Sequence, residues 1–422
     1  MKLLLVGGGG REHALAWKLA QSPLVDTLYA APGNPGIARH AKCVPIKAEA
    51  HDELLAFAER ERIDFTVVGP EGPLVAGLAD RFTSRGLAVF GPTAAAAQIE
   101  GSKAFAKSLM KRYRIPTARF ETFDDVRAAI DHCRGLSQPV VVKVDGLAAG
   151  KGVTVCQTAE EAAKAISAAM ELRVFGDAGK KVVIEEFLRG GEVSFFALAN
   201  GQAAVPLGAA RDHKTVFDDD RGPNTGGMGA YSPVPGIDAA AEQQVMESIV
   251  DPTIAALAKD GMPYRGVLFV GLMMTGEGPK VLEFNCRFGD PECQALVVRL
   301  GSDLVPLLLA AARGDRLPER VAWRPEAAVC VTLASAGYPE RYPMGLPIDG
   351  IDAAETVEGV RVFHAGTAER DGKLVTAGGR VLSVTATAPA LREAIAHAYQ
   401  AAARIRFDGV HYRTDIGRKG IG

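Results

Sequence analysis

Residues 280–292 read KVLEFNCRFGDPE, and the rest of the chain can be arranged around this stretch. Its first part, Lys280–Phe284, has the apolar character of a buried strand, which Glu283 interrupts. Because side chains alternate between the two faces of a strand, Glu283 and Asn285 are expected on the same face. A carboxylate and an amide oxygen so placed suit Mg²⁺, which usually keeps water and substrate phosphates in its shell. The alternative is a strand end with solvated charges.

Composition excludes several classes of protein. The 422 residues predict two to four domains, and a net charge of −2 gives no reason to expect a nucleic-acid partner. No apolar run is long enough for a membrane span, and the first apolar run stops at glycines too early for a signal peptide. Six widely spaced cysteines without a CxxC pair are expected to be reduced. A cytoplasmic enzyme without membrane partners is therefore expected.

Short apolar strands alternate with helical patterns over residues 1–101. This alternation predicts an open parallel-sheet, Rossmann-like α/β domain whose binding loops follow the strands. The turn Gly7–Gly10 follows the first strand, and its amides together with the next helix N-terminus suit a phosphate. A dinucleotide site is disfavoured, because Glu12 stands where the third glycine is needed and no acidic residue ends the second strand. A turn without a ligand is the remaining alternative.

Residues 102–325 predict a two-lobed domain whose small lobe, about 117–190, has the order β-α-β-β-α-β. Ferredoxin-like modules share this order, which carries no function by itself. Lys143, however, lies inside an apolar strand and needs an anionic partner, which a nucleotide phosphate would supply. The loop that follows contains Gly146, Gly150 and Gly152 with Lys151, and its amides are suited to close over phosphates.

The second lobe contains a glycine-rich segment, GPNTGGMGAY, at Gly222–Tyr231. Such glycine density in a folded chain indicates a backbone that approaches a ligand closely, with a flexible linker as the alternative. Residues 326–422 predict a C-terminal α+β domain with a hairpin turning at residues 377–379. This domain carries no obvious catalytic group.

Motifs along the whole chain identify a family. They are GGGGREHALAW at Gly7, GPEGPLVAGLAD at Gly69, GSKAFAK at Gly101, VKVDGLAAGKGV at Val142, EEFLRGGE at Glu185, GPNTGGMGAYSP at Gly222, VLEFNCRFGDPE at Val281 and GGRVLSV at Gly378. The chain resembles the glycinamide ribonucleotide synthetases, or phosphoribosylamine–glycine ligases, which are ATP-grasp enzymes of purine biosynthesis. The resemblance implies that ATP converts glycine to a glycyl phosphate, which 5-phosphoribosylamine attacks to give glycinamide ribonucleotide, ADP and phosphate.

The resemblance also implies roles for individual residues. Glu283 and Asn285 match the ligands of Mg²⁺ or Mn²⁺. The ATP-binding residues would be Lys103, Lys143, Gly146, Gly150, Lys151, Gly152, Glu185, Glu186, Phe187, Leu188 and Glu192, with Glu185–Leu188 as the adenine hinge and Glu192 for the ribose. The substrate residues would be Gly9, Gly10, Asp212, Lys214, Asn224, Arg287, Asp290 and Pro291.

Within this set the catalytic residues would be Lys143, Asp212, Arg287 and Asp290. Arg287 would pair with the glycine carboxylate, and Asp212 would bind the glycine amine. Either Asp212 or Asp290 would accept a proton from the attacking amine, and the sequence leaves this choice open. Beyond glycine and 5-phosphoribosylamine, the expected state is a monomer, with a transient contact to the preceding purine-pathway enzyme as the one protein partner considered.

The substrate segment departs from the family pattern at Arg211, Thr215 and Asp219, where Gln, Arg and Gly are usual. Three alternatives are weighed against the resemblance. Another ATP-grasp carboxylate–amine ligase or carboxylase would share the nucleotide site, whereas an NAD-dependent dehydrogenase would need the missing third glycine. A non-catalytic nucleotide sensor would not need Glu283 and Asn285 together with Lys143.

Overall fold

The computed structural model describes residues 1–136, 138–148 and 151–421. The N-terminal unit is a five-stranded, all-parallel sheet in the order β3-β2-β1-β4-β5. Its strands are β1 (Lys2–Gly7), β2 (Thr27–Pro32), β3 (Lys42–Cys43), β4 (Phe65–Val68) and β5 (Val89–Phe90). Its helices are α1 (Gly10–Leu19), α2 (His51–Glu61), α3 (Glu71–Val75), α4 (Leu78–Ser84) and α5 (Ala94–Gly101). The predicted parallel sheet is confirmed, and the glycine turn lies at its carboxyl edge.

Helix α6 (Lys103–Tyr113) leads to the small lobe, which contains β6 (Phe120–Phe123), α7 (Val126–Arg134), β7 (Val140–Val144), β8 (Val153–Cys156), α8 (Ala159–Met170) and β9 (Val182–Glu186). The four strands form an antiparallel sheet in the order β6-β9-β7-β8. Helices α7 and α8 cover one face and bury Ala129, Ile166 and Met170 against the strands. The predicted β-α-β-β-α-β order is confirmed.

The second lobe is mainly antiparallel sheet. Its elements are β10 (Gly191–Asn200), β11 (Ala204–Asp212), β12 (Thr215–Phe217), β13 (Arg221–Asn224), β14 (Gly229–Ser232), α9 (Ala239–Val245), α10 (Asp251–Lys259), β15 (Arg265–Thr275), β16 (Gly278–Asn285), α11 (Glu292–Val297) and α12 (Leu304–Arg313). Strands β10 and β15 are long and almost wholly buried, and their side chains divide between two buried clusters, because this sheet is covered on both faces. The N-terminal sheet shares its core: Leu5 and Phe65 belong to one buried cluster with Phe196 and Phe269.

The C-terminal segment contains β17 (Ala327–Ala334), α13 (Ile351–Glu355), β18 (Val360–His364), β19 (Thr367–Arg370), β20 (Lys373–Thr376), β21 (Arg380–Ala388) and α14 (Leu391–Ala402). The predicted hairpin at residues 377–379 is wrong. Strand β20 pairs with β19, whereas β21 pairs with β17 and β18, so these residues carry the chain from one sheet to another.

One eight-stranded sheet joins the second lobe to the C-terminal segment. Its order is β16-β15-β10-β11-β14-β17-β21-β18, and β14 pairs with β17 across the expected division near residue 325. Because β17 lies between β14 and β21 in this sheet, the first residues of β21 lie close to the second lobe. No helix in the described part of the chain has the length and apolar character needed to cross a membrane.

Candidate active site

Glu283 and Asn285 lie on one face at the end of β16, as their spacing predicts. Glu283 is opposite Gly271 in β15, and a β-carbon on Gly271 would come within 3.2 Å of the Glu283 Cγ. Burial alone would raise the pKa of Glu283, but Lys214 and Lys103 outweigh it and lower that pKa. The Nδ2 atom of Asn285 is buried without a hydrogen-bond partner in the described structure. The ionised carboxylate of Glu283 and the Oδ1 atom of Asn285, rather than its Nδ2 donor, are the oxygens that a hard divalent cation would bind.

Glu283 and Asn285 would supply only two ligands to a cation, so the substrate would have to supply others. Among the described residues, no group of three or more His, Cys, Asp and Glu side chains is arranged to hold a metal ion. Mg²⁺ tolerates this, since it keeps several waters and is bound through one or two carboxylates plus phosphate oxygens. The residues present therefore fit a nucleotide-bound cation better than a permanent structural one.

Lys143 is buried in β7, but its anionic partner differs from the prediction. Its Nζ lies 3.0 Å from Oε1 of Glu185 and donates to the Leu282 carbonyl at 2.8 Å. The other carboxylate oxygen of Glu185 lies 2.9 Å from Nζ of Lys107, which also donates to Thr117 Oγ1. The protein itself thus supplies the anion that a buried ammonium requires. Burial lowers the pKa of Lys107 to about 8 although Glu185 opposes that shift.

The predicted adenine hinge connects the two lobes. Glu185 cannot offer its side chain there, because two lysines hold its carboxylate, and Glu186 binds Arg119 through Nε at 2.8 Å. Phe187 is 39% exposed, and Leu188 is half-buried. The main chain and these two apolar side chains are therefore what the hinge can present to a base.

The glycine-rich loop begins beside Lys103. The backbone N–H of Lys103 donates to the Asp145 carbonyl at 3.0 Å, so the start of α6 is tied to the start of the loop. At the other end of the loop, the Lys151 ammonium donates to the Pro339 carbonyl at 2.8 Å. Gly146 packs against Ala178. Gly152 lies so close to Val144 that a β-carbon would collide with it, and Gly150 lies outside the described residues.

Glu192 and Lys214 form an ion pair at the mouth of a cavity in the second lobe. Their charged atoms are 3.0 Å apart, and Glu192 raises the pKa of Lys214. The cavity is lined by Glu192, Val193, Ser194, Asp212, Lys214, Phe269, Gly271, Leu272 and Leu282. Glu192, which is predicted for the ribose, therefore lines the same cavity as Asp212 and Lys214, which are predicted for substrate, and its carboxylate pairs with Lys214.

Three carboxylates near this cavity differ in their titration. Burial, and then the Glu292 carboxylate, raise the pKa of Asp212 well above its usual range. Glu292 accepts a hydrogen bond from Ser194 Oγ at 2.9 Å, yet burial raises its pKa as well. Burial also acts to raise the pKa of Asp290, but Arg380 and then Arg11 outweigh it and lower that pKa. A proton is therefore held at Asp212 and Glu292 more readily than at Asp290.

Arg287, which is predicted to pair with the glycine carboxylate, is already bound by two carboxylates of the protein. Its Nε donates to Glu71 and its Nη2 to Glu100, each at 3.0 Å, and its Nη1 donates to the Phe288 carbonyl at 3.3 Å. Burial acts to raise the pKa of Glu71, but Arg287 and Arg11 lower it to about 2. Arg287 therefore joins the N-terminal unit to the end of β16.

The glycine turn is also more occupied than expected. The Gly9 N–H donates to Oε2 of Glu12 at 2.7 Å, and the Arg11 N–H lies 3.4 Å from Oδ2 of Asp290. Gly10 is buried, and a β-carbon there would lie 2.7 Å from the Gln294 amide nitrogen. Two protein carboxylates therefore already accept from N–H groups at this helix N-terminus, which has four such donors in all.

The segment Asn224–Gly229 does face the predicted substrate residues. Gly227 has a φ of +114° and packs so closely against Pro291 that a β-carbon would clash there, and that carbon would also lie 2.8 Å from Oδ1 of Asp212. Asn224 ends β13, where it pairs with Thr215. This packing argues against a flexible linker, and a binding role for the segment stays a prediction.

Comparison with known proteins identifies the family. Three family models match consecutive parts of the chain: the phosphoribosylglycinamide synthetase N domain over residues 1–100, its ATP-grasp (A) domain over residues 101–293 and its C domain over residues 328–419.

The chain belongs to the phosphoribosylglycinamide synthetase family.

Individual relatives agree with this assignment. Proteins named phosphoribosylamine–glycine ligase from Agrobacterium fabrum and Brucella melitensis are 54% and 50% identical over 421 residues, covering 100% of this chain and 99% and 98% of theirs. The crystal structure of phosphoribosylamine–glycine ligase from Thermotoga maritima matches with a TM-score of 0.84 at 36% identity, covering 98% of this chain and 100% of that one. The predicted family, fold and enzyme class are confirmed.

The fold extends to more distant enzymes. A biotin carboxylase from Campylobacter jejuni matches with a TM-score of 0.74 at 15% identity, covering 100% of this chain and 94% of that one. At this identity the likeness shows the ATP-grasp fold alone. The family models therefore favour the synthetase over the carboxylase that the sequence left as an alternative.

The structure shows the conformation or contacts of the three residues that depart from the family pattern. Asp219 has a φ of +59°, a left-handed conformation that suits the glycine usual there and that aspartate tolerates better than most residues. Arg211 donates to the Glu192 carbonyl at 2.9 Å. Thr215 Oγ1 accepts from Arg413 at 2.9 Å, so an arginine from the C-terminal segment reaches this position.

Sequence reasoning missed three residues that contact this site. Lys107 lies four residues after Lys103 on α6, a spacing that places both on one helix face and would have indicated it. Arg380 and Tyr338 both contact Gly226, from a segment in which no catalytic group was expected. Arg380 stands in the quoted motif GGRVLSV, but only the strand pairing of the folded chain carries it to the site.

Proposed function

We propose that this chain joins glycine to 5-phosphoribosylamine at the cleft between its lobes, with ATP as the phosphoryl donor. The observation that carries the proposal is that Lys214 and Asp212 line one cavity and that Lys214 also lowers the pKa of Glu283, in a chain whose relatives are named phosphoribosylamine–glycine ligases. Glu283 is assigned to the phosphate side of the site and Lys214 to the substrate side, so the two sets of residues are adjacent at this pair.

Glu283 and Asn285 would hold Mg²⁺ or Mn²⁺, which when bound neutralises phosphate charge. Lys103 begins α6, Lys143 lies on β7, and both lower the pKa of Glu283, so their ammonium groups share its surroundings. We assign these lysines to the ATP phosphates, together with the loop residues Gly146, Gly150, Lys151 and Gly152. The hinge Glu185–Leu188 is assigned to the adenine through its main chain, and Glu192 to the ribose.

The reaction needs two steps. A glycine carboxylate oxygen attacks the γ-phosphorus of ATP, and the bond to ADP breaks. The nitrogen of 5-phosphoribosylamine then attacks the carbonyl carbon of the glycyl phosphate, phosphate leaves with its oxygen, and the nitrogen loses one proton. The first step is mainly positioning and charge neutralisation, and the second needs a base.

Asp212 is the better of the two candidate bases. Its raised pKa makes its carboxylate the stronger base, whereas two arginines lower the pKa of Asp290 and make it the weaker one. Glu292 hydrogen bonds to Ser194 and is the group with which Asp212 would share that proton. We retain Asp290, Pro291, Lys214 and Asn224 as substrate-cleft residues.

Two assignments need rearrangement on substrate binding. Arg287 would have to exchange Glu71 or Glu100 for the glycine carboxylate, so we assign it instead to holding the units together. For the phosphate of 5-phosphoribosylamine, Gly9 would have to release Glu12, while Gly10 keeps its packing. The division at residues 101 and 325, a cytoplasmic location, a monomer and a pathway-enzyme contact stay predictions.

Product analysis tests the proposal directly. The purified chain is given ATP, Mg²⁺ and 5-phosphoribosylamine with glycine, alanine or bicarbonate in separate reactions. We expect glycinamide ribonucleotide, ADP and phosphate with glycine and far less product with alanine. A carboxylated product with bicarbonate, or no product with glycine, would contradict the proposed reaction.

A further inference from the structure

Residues of the C-terminal segment bind both the backbone N–H and the backbone carbonyl of Gly226. Its N–H donates to the hydroxyl of Tyr338 at 3.0 Å, and its carbonyl accepts from Nη1 of Arg380 at 2.6 Å. A β-carbon on Gly226 would lie 2.9 Å from the Arg380 guanidinium carbon. The glycine is therefore needed for the close approach of this arginine.

Arg380 binds a second segment with the same guanidinium group. Nη1 donates to the Asp290 carbonyl at 2.7 Å, and Nη2 lies 3.4 Å from the Asp290 carboxylate. It also reaches the Gly227 carbonyl at 3.3 Å. One planar group thus connects the Gly226–Gly227 backbone to Asp290, a geometry that a lysine could not reproduce.

The two residues are themselves packed together. Arg380 begins β21, and Gly379 before it lies directly on the Tyr338 ring, so that a β-carbon at residue 379 would clash. Ser335 Oγ donates to the Gly378 carbonyl at 2.9 Å and fixes the connection. Strand β17 pairs with both β14 and β21, and this pairing holds Arg380 and Tyr338 beside the second lobe.

We propose that Arg380 and Tyr338 are positioning residues that hold the Gly226–Gly227 backbone as a wall of the glycine site. The inference rests on the proposed function, because it assigns this wall to glycine. Gly227 touches Pro291 and lies beside Asp212, so the held backbone faces the groups assigned to substrate. A rigid wall excludes a larger amino acid by overlap, and loosening it removes that exclusion.

The test compares Arg380→Gln, Arg380→Lys and Tyr338→Phe with wild type. We expect Arg380→Gln to lower kcat/KM for glycine on the order of 10- to 100-fold, since misplacement of positioning groups has effects of this size. Turnover with alanine relative to glycine should rise, while the KM for ATP stays within about twofold. Tyr338→Phe should change the same ratios in the same direction by a smaller factor.

A pH profile separates positioning from general structural loss. Arg380 acts to lower the pKa of Asp212, the proposed base, as well as that of Asp290, so the acid limb of kcat/KM should move to higher pH in Arg380→Gln. Arg380→Lys should restore that limb, because it keeps the charge, but not the glycine selectivity. Matched controls are Arg392→Gln on the exposed side of α14 and Tyr412→Phe, which we expect to behave as wild type.

The outcomes are distinguishable. An equal loss with all substrates and an unchanged alanine-to-glycine ratio in both Arg380→Lys and Tyr338→Phe would overturn the positioning role. If instead wild-type protein makes no product from glycine, the proposed function fails before any variant is compared. Thermal unfolding of each variant identifies those whose fold is lost, and the two conservative variants carry the conclusion in that case.

Discussion

Glu283 is a partly buried carboxylate whose charge is favoured by lysines from other elements. Gln at this position keeps the volume and removes the charge, so Glu283→Gln should fold normally and bind metal–nucleotide poorly. We expect kcat to fall on the order of 100-fold or more, as when other groups that stabilise developing charge are removed. The measurements are steady-state turnover and a Mn²⁺ titration in the presence of ATP.

Glu277→Gln is the matched control for this residue. Glu277 lies on the same hairpin, but its side chain is exposed and pairs with Lys280 at 2.7 Å. Loss of an exposed pair of this kind changes stability little, because solvent screens the interaction. Wild-type turnover of Glu283→Gln at ordinary Mg²⁺ concentrations would remove Glu283 from the metal site, whatever the control shows.

At the scale of elements, α6 delivers two cations to the nucleotide cleft from one helix face. Lys107→Met should remove one of the two partners of Glu185, leaving Lys143 as the other. Without Lys107, Glu185 pairs with Lys143 alone, and these two charges attract each other more strongly. Lys143 should then be less available to a phosphate, and ATP should bind more weakly. Stability should also fall, by up to about 3 kcal/mol, because a buried ion pair has lost one partner.

Urea unfolding and ATP titration test this variant, with Lys111→Met as the control. Lys111 lies on the same helix and is exposed, so its replacement should affect neither measurement strongly. Reduced stability with unchanged ATP affinity would show that Lys107 only supports the fold. Unchanged stability would mean that Lys143 alone satisfies Glu185.

Sequence patterns predicted those features that depend on neighbours within one element. The two-residue period of a strand predicted that Glu283 and Asn285 lie on one face. The alternation of short apolar strands with helical patterns predicted the parallel N-terminal sheet. Patterns could not show that Arg287 meets Glu71, since that pair depends on how two units dock. The wrong hairpin at residues 377–379 has the same cause, because the pairing of β21 with β17 is a long-range choice of register.

For the molecule as a whole, Asp290 is the point where three parts of the chain meet. It lies in the second lobe, accepts from the Arg11 backbone of the N-terminal unit and pairs with Arg380 of the C-terminal segment. The substrate cleft is therefore sensitive to how these parts dock. A change at the contact between the terminal units should reach the cleft through the positions of these arginines.

That contact contains buried histidines. The His364 N–H of β18 donates to Nδ1 of His13 on α1 at 2.7 Å, and their rings are 5.5 Å apart. Burial, and then His364, lower the pKa of His13 well below its usual range. Burial and then Arg39 lower the pKa of His364 to about 4. Both rings are neutral in the folded protein at neutral pH, as the acceptor role of His13 requires.

Acid should therefore weaken the docking of the terminal units. An unfolded histidine binds a proton near pH 6.5, whereas His364 does so only near pH 4, so the unfolded state holds more protons between these values. The free energy of unfolding should decrease as the pH is lowered across that window, by up to about 1.4 kcal/mol per pH unit for each such histidine. Urea unfolding at pH 7.5, 6, 5 and 4.5 measures the slope. His364→Gln should reduce it, while His132→Gln in the small lobe should not, and equal slopes in all three proteins would place the acid sensitivity elsewhere.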